Sequence, residues 1–257
     1  MLFHRPRTEG EGAVPRTVSA LLAAVLLGGT AFGARAQDAP GSWQWSVAPY
    51  LWGLNSHIDS RFPDEPAGTA QFDGILDTFD GAFQLHAEGS NGTWGGFTDF
   101  TYLGLSGTRQ LAGFHVDADF DMRLFELAAT WHPGERRDAG FDLFAGLRYA
   151  DFDLNAHLAT RLIPDRIFDE HSSQTYSDLM VGARYSWPLS EHWAFTLRGD
   201  GSWGQTDGTR NASAVVRYRT RSGEWLLGYR YLRADLGGTN STLVTANGPE
   251  IGYGFRF

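Results

Sequence analysis

The sequence contains no cysteine and no lysine among its 257 residues. Without cysteine the chain has no disulfide framework, no thiolate zinc site and no lipoprotein anchor of the bacterial type. All 21 basic residues are therefore arginine, and with 30 acidic residues the net charge is −9, which argues against nucleic-acid binding. Taken alone, these totals and a mean hydropathy of −0.30 would describe a mildly acidic soluble protein.

Long apolar runs are also scarce. The one clear run lies at residues 18–32, near the N-terminus. Three arginines precede this run, and the small-x-small pattern Ala34-Arg35-Ala36 follows it. A membrane-spanning helix needs about 20 apolar residues, so the run is too short for an anchor and fits the core of a signal peptide. The sequence predicts a cleaved secretory signal over residues 1–36 and an exported domain over residues 37–257.

The rest of the chain alternates between apolar and polar residues, which is typical of β-strands with one buried face. Ten strand-like runs follow one another: residues 43–54, 79–89, 94–107, 112–131, 140–158, 174–188, 192–204, 210–220, 224–237 and 243–257. Short turns at one end and generally longer or more polar loops at the other are typical of bacterial outer-membrane barrels. The sequence therefore predicts an all-β fold, a transmembrane antiparallel up-and-down β-barrel. Ten strands are expected, with eight or twelve as alternatives.

Aromatic residues mark one end of this expected barrel. Seven of the nine tryptophans lie beside the short turns or open the first strand: Trp43, Trp45, Trp94, Trp131, Trp187, Trp193 and Trp225. Indole rings concentrate at membrane interfaces, whereas the alternative fold, a secreted β-sandwich, has no reason to gather them at one end. The seven predict an aromatic girdle on the periplasmic side of the membrane.

The last strand ends on three alternating aromatic residues, Tyr253, Phe255 and Phe257. Such an ending looks like the signal that the barrel-assembly machinery reads, so this machinery is a predicted partner. Outer-membrane lipids and lipopolysaccharide are the other predicted partners. The expected location is the outer membrane of a Gram-negative bacterium.

Several segments carry a resemblance to known proteins: Trp45-Ser46-Val47-Ala48-Pro49-Tyr50-Leu51-Trp52, Phe72-Asp73-Gly74-Ile75-Leu76-Asp77, Trp94-Gly95-Gly96-Phe97-Thr98-Asp99, Leu226-Leu227-Gly228-Tyr229-Arg230-Tyr231-Leu232, Gly248-Pro249-Glu250 and Phe255-Arg256-Phe257. Over most of its exported part the chain resembles a family of largely uncharacterised bacterial outer-membrane β-barrel proteins. It is more distantly similar to the small barrels of the OmpA and OmpW type. The resemblance implies a fold and a location, and it carries no established activity or catalytic residue.

Charged residues alternate with the aromatics assigned to the lipid face and are therefore expected to point into the barrel. They are six acids and six arginines: Glu88, Asp99, Glu126, Asp178, Asp200, Glu250, Arg148, Arg184, Arg198, Arg217, Arg230 and Arg256. Three strands repeat the phrase Gly-x-Arg-Tyr, in which the glycine is expected to leave room for the guanidinium. Equal numbers of each sign predict a lumen filled by ion pairs, because a selective pore should carry an excess of one sign. A narrow channel lined with arginine is the alternative.

The fourth and fifth runs carry an acidic pattern beyond their apolar part. The expected register places Asp121 opposite Asp151 and Asp119 opposite Asp153 on the outer face. Like charges directly opposite destabilise a sheet. A solvated acidic extension, whose repulsion water and salt screen, is the favoured interpretation. Weak binding of Ca²⁺ or Mg²⁺ by Asp117, Asp119, Asp121, Asp151 and Asp153 is the alternative.

An enzyme is the least favoured class. His86 and Glu88 lie close in sequence, but no serine pairs with them at a convincing spacing, and no common catalytic or nucleotide-binding motif occurs. We therefore expect no catalytic residue and no cofactor, with the divalent cation as the alternative. The expected function is a structural or surface-interacting role of an integral outer-membrane barrel. The alternatives are a narrow channel for small solutes or hydrophobic compounds, and a surface hydrolase of lipids or peptides.

Overall fold

The structure is a computed structural model that describes residues 42–53, 55–60, 68–72, 79–111, 114–134, 139–160, 167–237 and 242–257. The predicted signal peptide lies outside these residues. The described residues form twelve strands: β1 (Gln44–Trp52), β2 (Asn55–Ser60), β3 (Gly68–Phe72), β4 (Phe79–Ser90), β5 (Trp94–Leu111), β6 (Phe114–Trp131), β7 (Gly140–Thr160), β8 (Ile167–Pro188), β9 (Trp193–Gly204), β10 (Gly208–Arg219), β11 (Gly223–Asp235) and β12 (Thr242–Arg256). No helix in these ranges is long and apolar enough to cross a membrane.

Ten of the described strands close into a barrel. Antiparallel neighbours follow the order β1, β4 and then β5 to β12 in sequence, and β12 pairs with β1. The two ends of the sheet are tied together because Trp45 and Phe257 exchange backbone hydrogen bonds of 2.9 and 3.0 Å. The predicted all-β, up-and-down barrel of ten strands is confirmed.

The remaining strands, β2 and β3, lie within residues 55–78, where the sequence predicts no strand. After a break at Gly53, β2 continues along β12 from the pair Asn55–Asn247 upward, and β3 pairs with β2. Both segments are mostly polar. The alternation of apolar residues that reveals strands in sequence is therefore weak where a strand extends beyond the membrane.

The outward faces of the strands carry an apolar surface. Along β6, buried residues alternate with more exposed ones from Asp119 to Trp131, as the period of two requires. The seven tryptophans of the predicted girdle are all exposed, from 38% at Trp187 to 58% at Trp94. We call the end that carries this girdle the lower end, and its location on the periplasmic side stays a prediction.

Some aromatic side chains point inward, which corrects the assumption that aromatics face lipid. Trp52, Phe97, Phe120, Phe144 and Phe152 are buried in the lumen at 1–7% exposure. They belong to two apolar clusters, a small one around Phe97 and Phe144 and a larger one that includes the other three. Inside the barrel, apolar layers therefore alternate with the charged ones.

The upper rim is uneven because strands β5 to β8 are the longest. Pairing between β7 and β8 continues up to Ala159 and Ile167, whereas pairing between β8 and β9 stops at Asp178 and Gly204. A tight turn at residues 205–207 joins β9 to β10 just above this point. A wall of four strands therefore rises on one side of the barrel beyond its lower neighbours.

Candidate functional site

The charged lumen results from the same alternation that exposes the apolar band. Successive side chains of a strand point to opposite faces, so Glu126 on β6, Arg148 on β7 and Asp200 on β9 point inward. Their side chains are 0%, 1% and 0% exposed. Charges buried to this extent are tolerated only when they are paired and hydrogen-bonded.

Glu126 is the centre of the charged network. One of its carboxylate oxygens accepts hydrogen bonds from Arg148 Nε at 3.0 Å and Nη2 at 2.6 Å, and the other accepts one from Arg198 Nη2 at 2.7 Å. Arg198 Nε also donates to Asp200 at 2.8 Å, and Arg148 is ion-paired with the same Asp200. Two acids and two arginines thereby form a closed ring that joins β6, β7 and β9. We call these four side chains the central ring.

Arg230 extends the network to the opposite wall of the barrel. Its Nη2 lies 3.7 Å from Glu126 and its Nη1 lies 4.0 Å from Asp99, while its Nε donates to Asn211 Oδ1 at 3.0 Å. The ring of Trp52 covers the guanidinium at 5.2 Å, which is a cation–π contact. Arg230 thus links the central ring to strands β1 and β5.

Asp99 binds two further groups. Tyr50 Oη donates to Asp99 Oδ2 at 2.7 Å, and His86 Nδ1 lies 3.1 Å from the same oxygen. The other ring nitrogen of His86 lies 3.3 Å from Glu88. A ring with a carboxylate at each nitrogen can donate two hydrogen bonds only when both nitrogens carry a proton. This is the wrong arrangement for a general base that must accept a proton from a nucleophile.

A second charged layer lies nearer the lower end. Arg184 Nη1 donates to Glu88 at 2.7 Å, and its Nε donates to Asp142 at 2.5 Å. His132 Nδ1 also lies 2.5 Å from Asp142. Because Glu88 contacts His86, this layer is connected to the upper one.

Contacts are weaker at the lower mouth. Glu224 lies 3.8 Å from Arg217 and is ion-paired with Arg256, whose side chain is 40% exposed. The Nε atom of Arg217 is buried and has no hydrogen-bond partner among the described atoms. Arg217 and Arg256 therefore belong to the edge of the network.

Asp178 and Glu250 differ from the predicted ion pairs. Asp178 accepts hydrogen bonds from the backbone N–H groups of Gln205 and Thr206 at 2.9 and 3.1 Å, and from the Ser202 hydroxyl at 3.0 Å. It therefore holds the turn between β9 and β10. Glu250 is also buried. Within the described part of the chain, neither Asp178 nor Glu250 forms a salt bridge to a side chain.

The glycines of the Gly-x-Arg-Tyr repeats have a different use from the predicted one. A Cβ atom at Gly146 would lie 1.9 Å from the carbonyl oxygen of Leu127, and one at Gly182 would lie 2.3 Å from the ring of Phe144. At Gly228 a backbone oxygen would lie 2.7 Å away. The glycines thus make room for neighbouring strands and for the Phe144 ring.

The structure brings eight of the predicted lumen residues into one network: Glu88, Asp99, Glu126, Arg148, Arg184, Arg198, Asp200 and Arg230. Sequence reasoning missed Tyr50, Asn211, Asp142 and Glu224. Asp142 has the same parity as Arg148 along β7, and Glu224 the same parity as Arg230 along β11, so alternation would have found both acids. Tyr50 carried no such signal because aromatic residues were assigned to the lipid face.

The acidic residues above the apolar band pair in a register two residues away from the predicted one. Asp121 lies opposite Asp153, and Asp151 lies opposite Arg123. Arg123 Nη1 contacts Asp151 at 2.9 Å and Asp153 at 3.4 Å, and Asp121 accepts a hydrogen bond from Tyr102 at 2.8 Å. A shift of two residues keeps every side chain on its own face, so the apolar pattern cannot distinguish the two registers.

The cation site offered as an alternative at these aspartates stays a prediction. The part of the chain that the structure describes contains no group of three or more side chains able to hold a metal ion. Asp119 is exposed, and the side chain of Asp117 lies outside the described residues. Arg123 supplies positive charge where a cation was expected.

No family model and no curated protein matches the chain. Among solved structures it is similar to Ail, the attachment invasion locus protein of Yersinia pestis, at 12% identity over 84% of this chain and 99% of Ail, with a TM-score of 0.43. It is similar to the outer membrane protease OmpT of Escherichia coli at 7% identity over 87% and 99% of the two chains, with a TM-score of 0.45. It is also similar to the outer membrane protein OprG of Pseudomonas aeruginosa at 15% identity over 84% of this chain and 97% of OprG, with a TM-score of 0.34. These likenesses concern the fold alone, and ten of the chain's own described strands form a closed antiparallel up-and-down barrel.

Proposed function

We propose that this protein is an integral outer-membrane barrel with a sealed lumen and a structural or surface-interacting role, without enzymatic activity. The central ring of Glu126, Arg148, Asp200 and Arg198 carries the proposal, because its side chains are 0–15% exposed and join three strands. Removing one partner from a buried ion pair costs about 3–5 kcal/mol. An ion that moved through the lumen would have to break the contacts of the central ring.

Apolar side chains support the seal on both sides of the ring. Below it, Arg198 lies 5.0 Å from the centroid of Phe97 and 5.0 Å from that of Phe144. Above it, the larger apolar cluster contains Trp52 and Met122, each 1% exposed. Apolar constrictions exclude ions by dewetting. A solute entering from the upper end would thus meet an apolar layer before a charged one.

The tall wall of β5 to β8 supports the surface role. Its strands extend above the apolar band, and outward residues such as Asp119, His171 and Thr175 are exposed there. A sealed barrel leaves its outer surfaces as the place of interaction. We assign contact with partners outside the cell to this wall.

Solute flux from proteoliposomes separates this proposal from the narrow-channel alternative. The wild type is expected to release entrapped potassium no faster than liposomes without protein. The variant Trp52→Ala/Arg230→Ala removes the stacked pair that links the apolar and charged layers, so it should leak. Arg123→Ala changes an outer-surface arginine and serves as the tight control. Potassium release by the correctly folded wild type at a rate equal to that of the double variant and above that of liposomes without protein would contradict the seal.

A route for hydrophobic compounds is the second candidate, favoured by the apolar lining of the upper lumen. A cavity there is lined by Met122, Phe152, Leu236 and Val244, with Arg148 and Thr209 on its polar side. Uptake of an apolar fluorescent probe by the same proteoliposomes tests it. Faster uptake with the wild type than with empty liposomes would favour this second candidate.

A further inference from the structure

The outer wall carries two arginines that lack the acidic partners found for Arg123. Arg210 on β10 and Arg233 on β11 lie directly opposite each other, and both are exposed. Neither guanidinium forms a salt bridge or hydrogen bond within the described residues. Asp235, two residues further along β11, accepts a hydrogen bond from the Gly237 N–H group at 3.3 Å. Like charges directly opposite destabilise a sheet, so this pair is complementary to an anion.

The pair lies at the height where lipid head groups begin. Eight positions separate Tyr218 from Arg210 along β10, and eight separate Trp225 from Arg233 along β11. At about 3.4 Å per residue and a strand tilt of about 40°, this rise is about 21 Å, close to the ~25 Å apolar band of a barrel. Tyr218 and Trp225 lie at the lower girdle. The two arginines therefore lie at the upper, outer-leaflet boundary of the membrane.

An apolar groove on the outer wall leads to this pair. The groove has a volume of about 710 Å³ and is lined by Trp94 and Trp131 at one end, by Ala129 and Ala145 in its middle and by Gly199 and Gly201 at the other. Gly201 lies directly opposite Arg210. The lining runs from Trp94 on β5 to Gly201 on β9, and the four strand spacings of about 4.8 Å between these strands give about 19 Å. This length is comparable to the ~15 Å of one leaflet's hydrocarbon.

Trp203 lies beside the upper end of this groove. It is 52% exposed and follows Gly201 by two residues on the outer face of β9. Of the nine tryptophans, it and the buried Trp52 lie outside the lower girdle. An exposed indole at this height is typical of the second membrane interface.

We propose that Arg210 and Arg233 bind the phosphate of an acylated lipid of the outer leaflet, whose acyl chain lies in the groove ending at Gly201. Guanidinium–phosphate contacts are charge-assisted and often bidentate, which places them among the strong hydrogen bonds of proteins. The phosphate also removes the repulsion between the two cations. Lipid A of lipopolysaccharide supplies both the phosphate and the chain. The site is on the outer wall, so it does not depend on whether the lumen conducts.

Native mass spectrometry of the detergent-purified protein titrated with lipid A tests this site. Arg210→Gln/Arg233→Gln should bind lipid A about tenfold more weakly than the wild type, because both charge-assisted contacts are lost. Arg123→Gln is the matched control, since this outer arginine is already neutralised by Asp151 and Asp153. It should bind lipid A as the wild type does.

The groove is tested separately with Gly199→Leu. A Cβ atom at this glycine would meet nothing within 4 Å, so the new side chain should fill the groove without disturbing the fold or the arginines. We expect Gly199→Leu to bind lipid A more weakly than the wild type does. Inorganic phosphate at equal concentration should not displace lipid A from the wild type. Equal binding by the wild type and the double arginine variant would overturn the site. Undiminished binding by Gly199→Leu, or displacement by inorganic phosphate, would overturn the assignment of an acylated lipid.

Discussion

Arg148 illustrates how single residues hold this barrel together. Its guanidinium is 1% exposed and contacts Glu126 on β6 and Asp200 on β9, with Ser202 at 3.4 Å. Sequence alternation was sufficient to place this arginine inside. The individual partners could not be predicted, because they depend on which strands meet across the lumen and on how far each side chain reaches.

Replacing Arg148 by methionine should therefore destabilise the barrel strongly. Arg148→Met leaves Glu126 and Asp200 with one arginine between them, and the expected loss is about 3–5 kcal/mol in the free energy of unfolding. The matched variant Arg123→Met breaks an exposed pair and should cost about 0–1 kcal/mol. Urea unfolding of both variants in the same lipid vesicles checks this. Similar losses for the two would contradict the assignment of a buried, tightly paired Arg148.

At the scale of whole strands, the period of two predicted which face of each strand is buried, and it was most reliable within the membrane. It failed in three places for physical reasons. The strands β2 and β3 are mostly polar in sequence and lack a clear alternation, and inward aromatics such as Trp52 fill a lumen that was assigned to charges. The register of β6 and β7 differs by two residues, a shift to which alternation is blind.

Cysteine cross-linking tests that register, and the natural absence of cysteine leaves a clean background. Asp121→Cys/Asp153→Cys places two thiols directly opposite each other, about 4.5–5.5 Å apart at Cα, which a disulfide can bridge. In Asp121→Cys/Asp151→Cys the two positions are diagonal, about 7–8 Å apart. Mild oxidation followed by non-reducing electrophoresis should show rapid cross-linking only in the first variant. Faster cross-linking in the second would restore the register expected from the sequence.

At the scale of the whole molecule, the barrel combines an apolar exterior with an interior of alternating charged and apolar layers. The sequence predicted the closed barrel and a lumen filled by ion pairs, although Asp142 and Glu224 add two acids to the predicted six. It could not predict which residues pair, because the partners are as distant as Glu88 and Arg184, which 96 positions separate. A filled interior is consistent with a barrel of about eight to ten strands, whose lumen is only just wide enough for side chains.

Planar-bilayer recording of the purified wild-type protein tests the sealed lumen most directly. An open outer-membrane porin inserted under the same conditions serves as the positive control. The proposal that the central ring and the apolar layers close the lumen together predicts no conductance steps above the baseline of the bare bilayer. Defined wild-type steps that change in size when Arg148 is replaced by alanine would contradict the account.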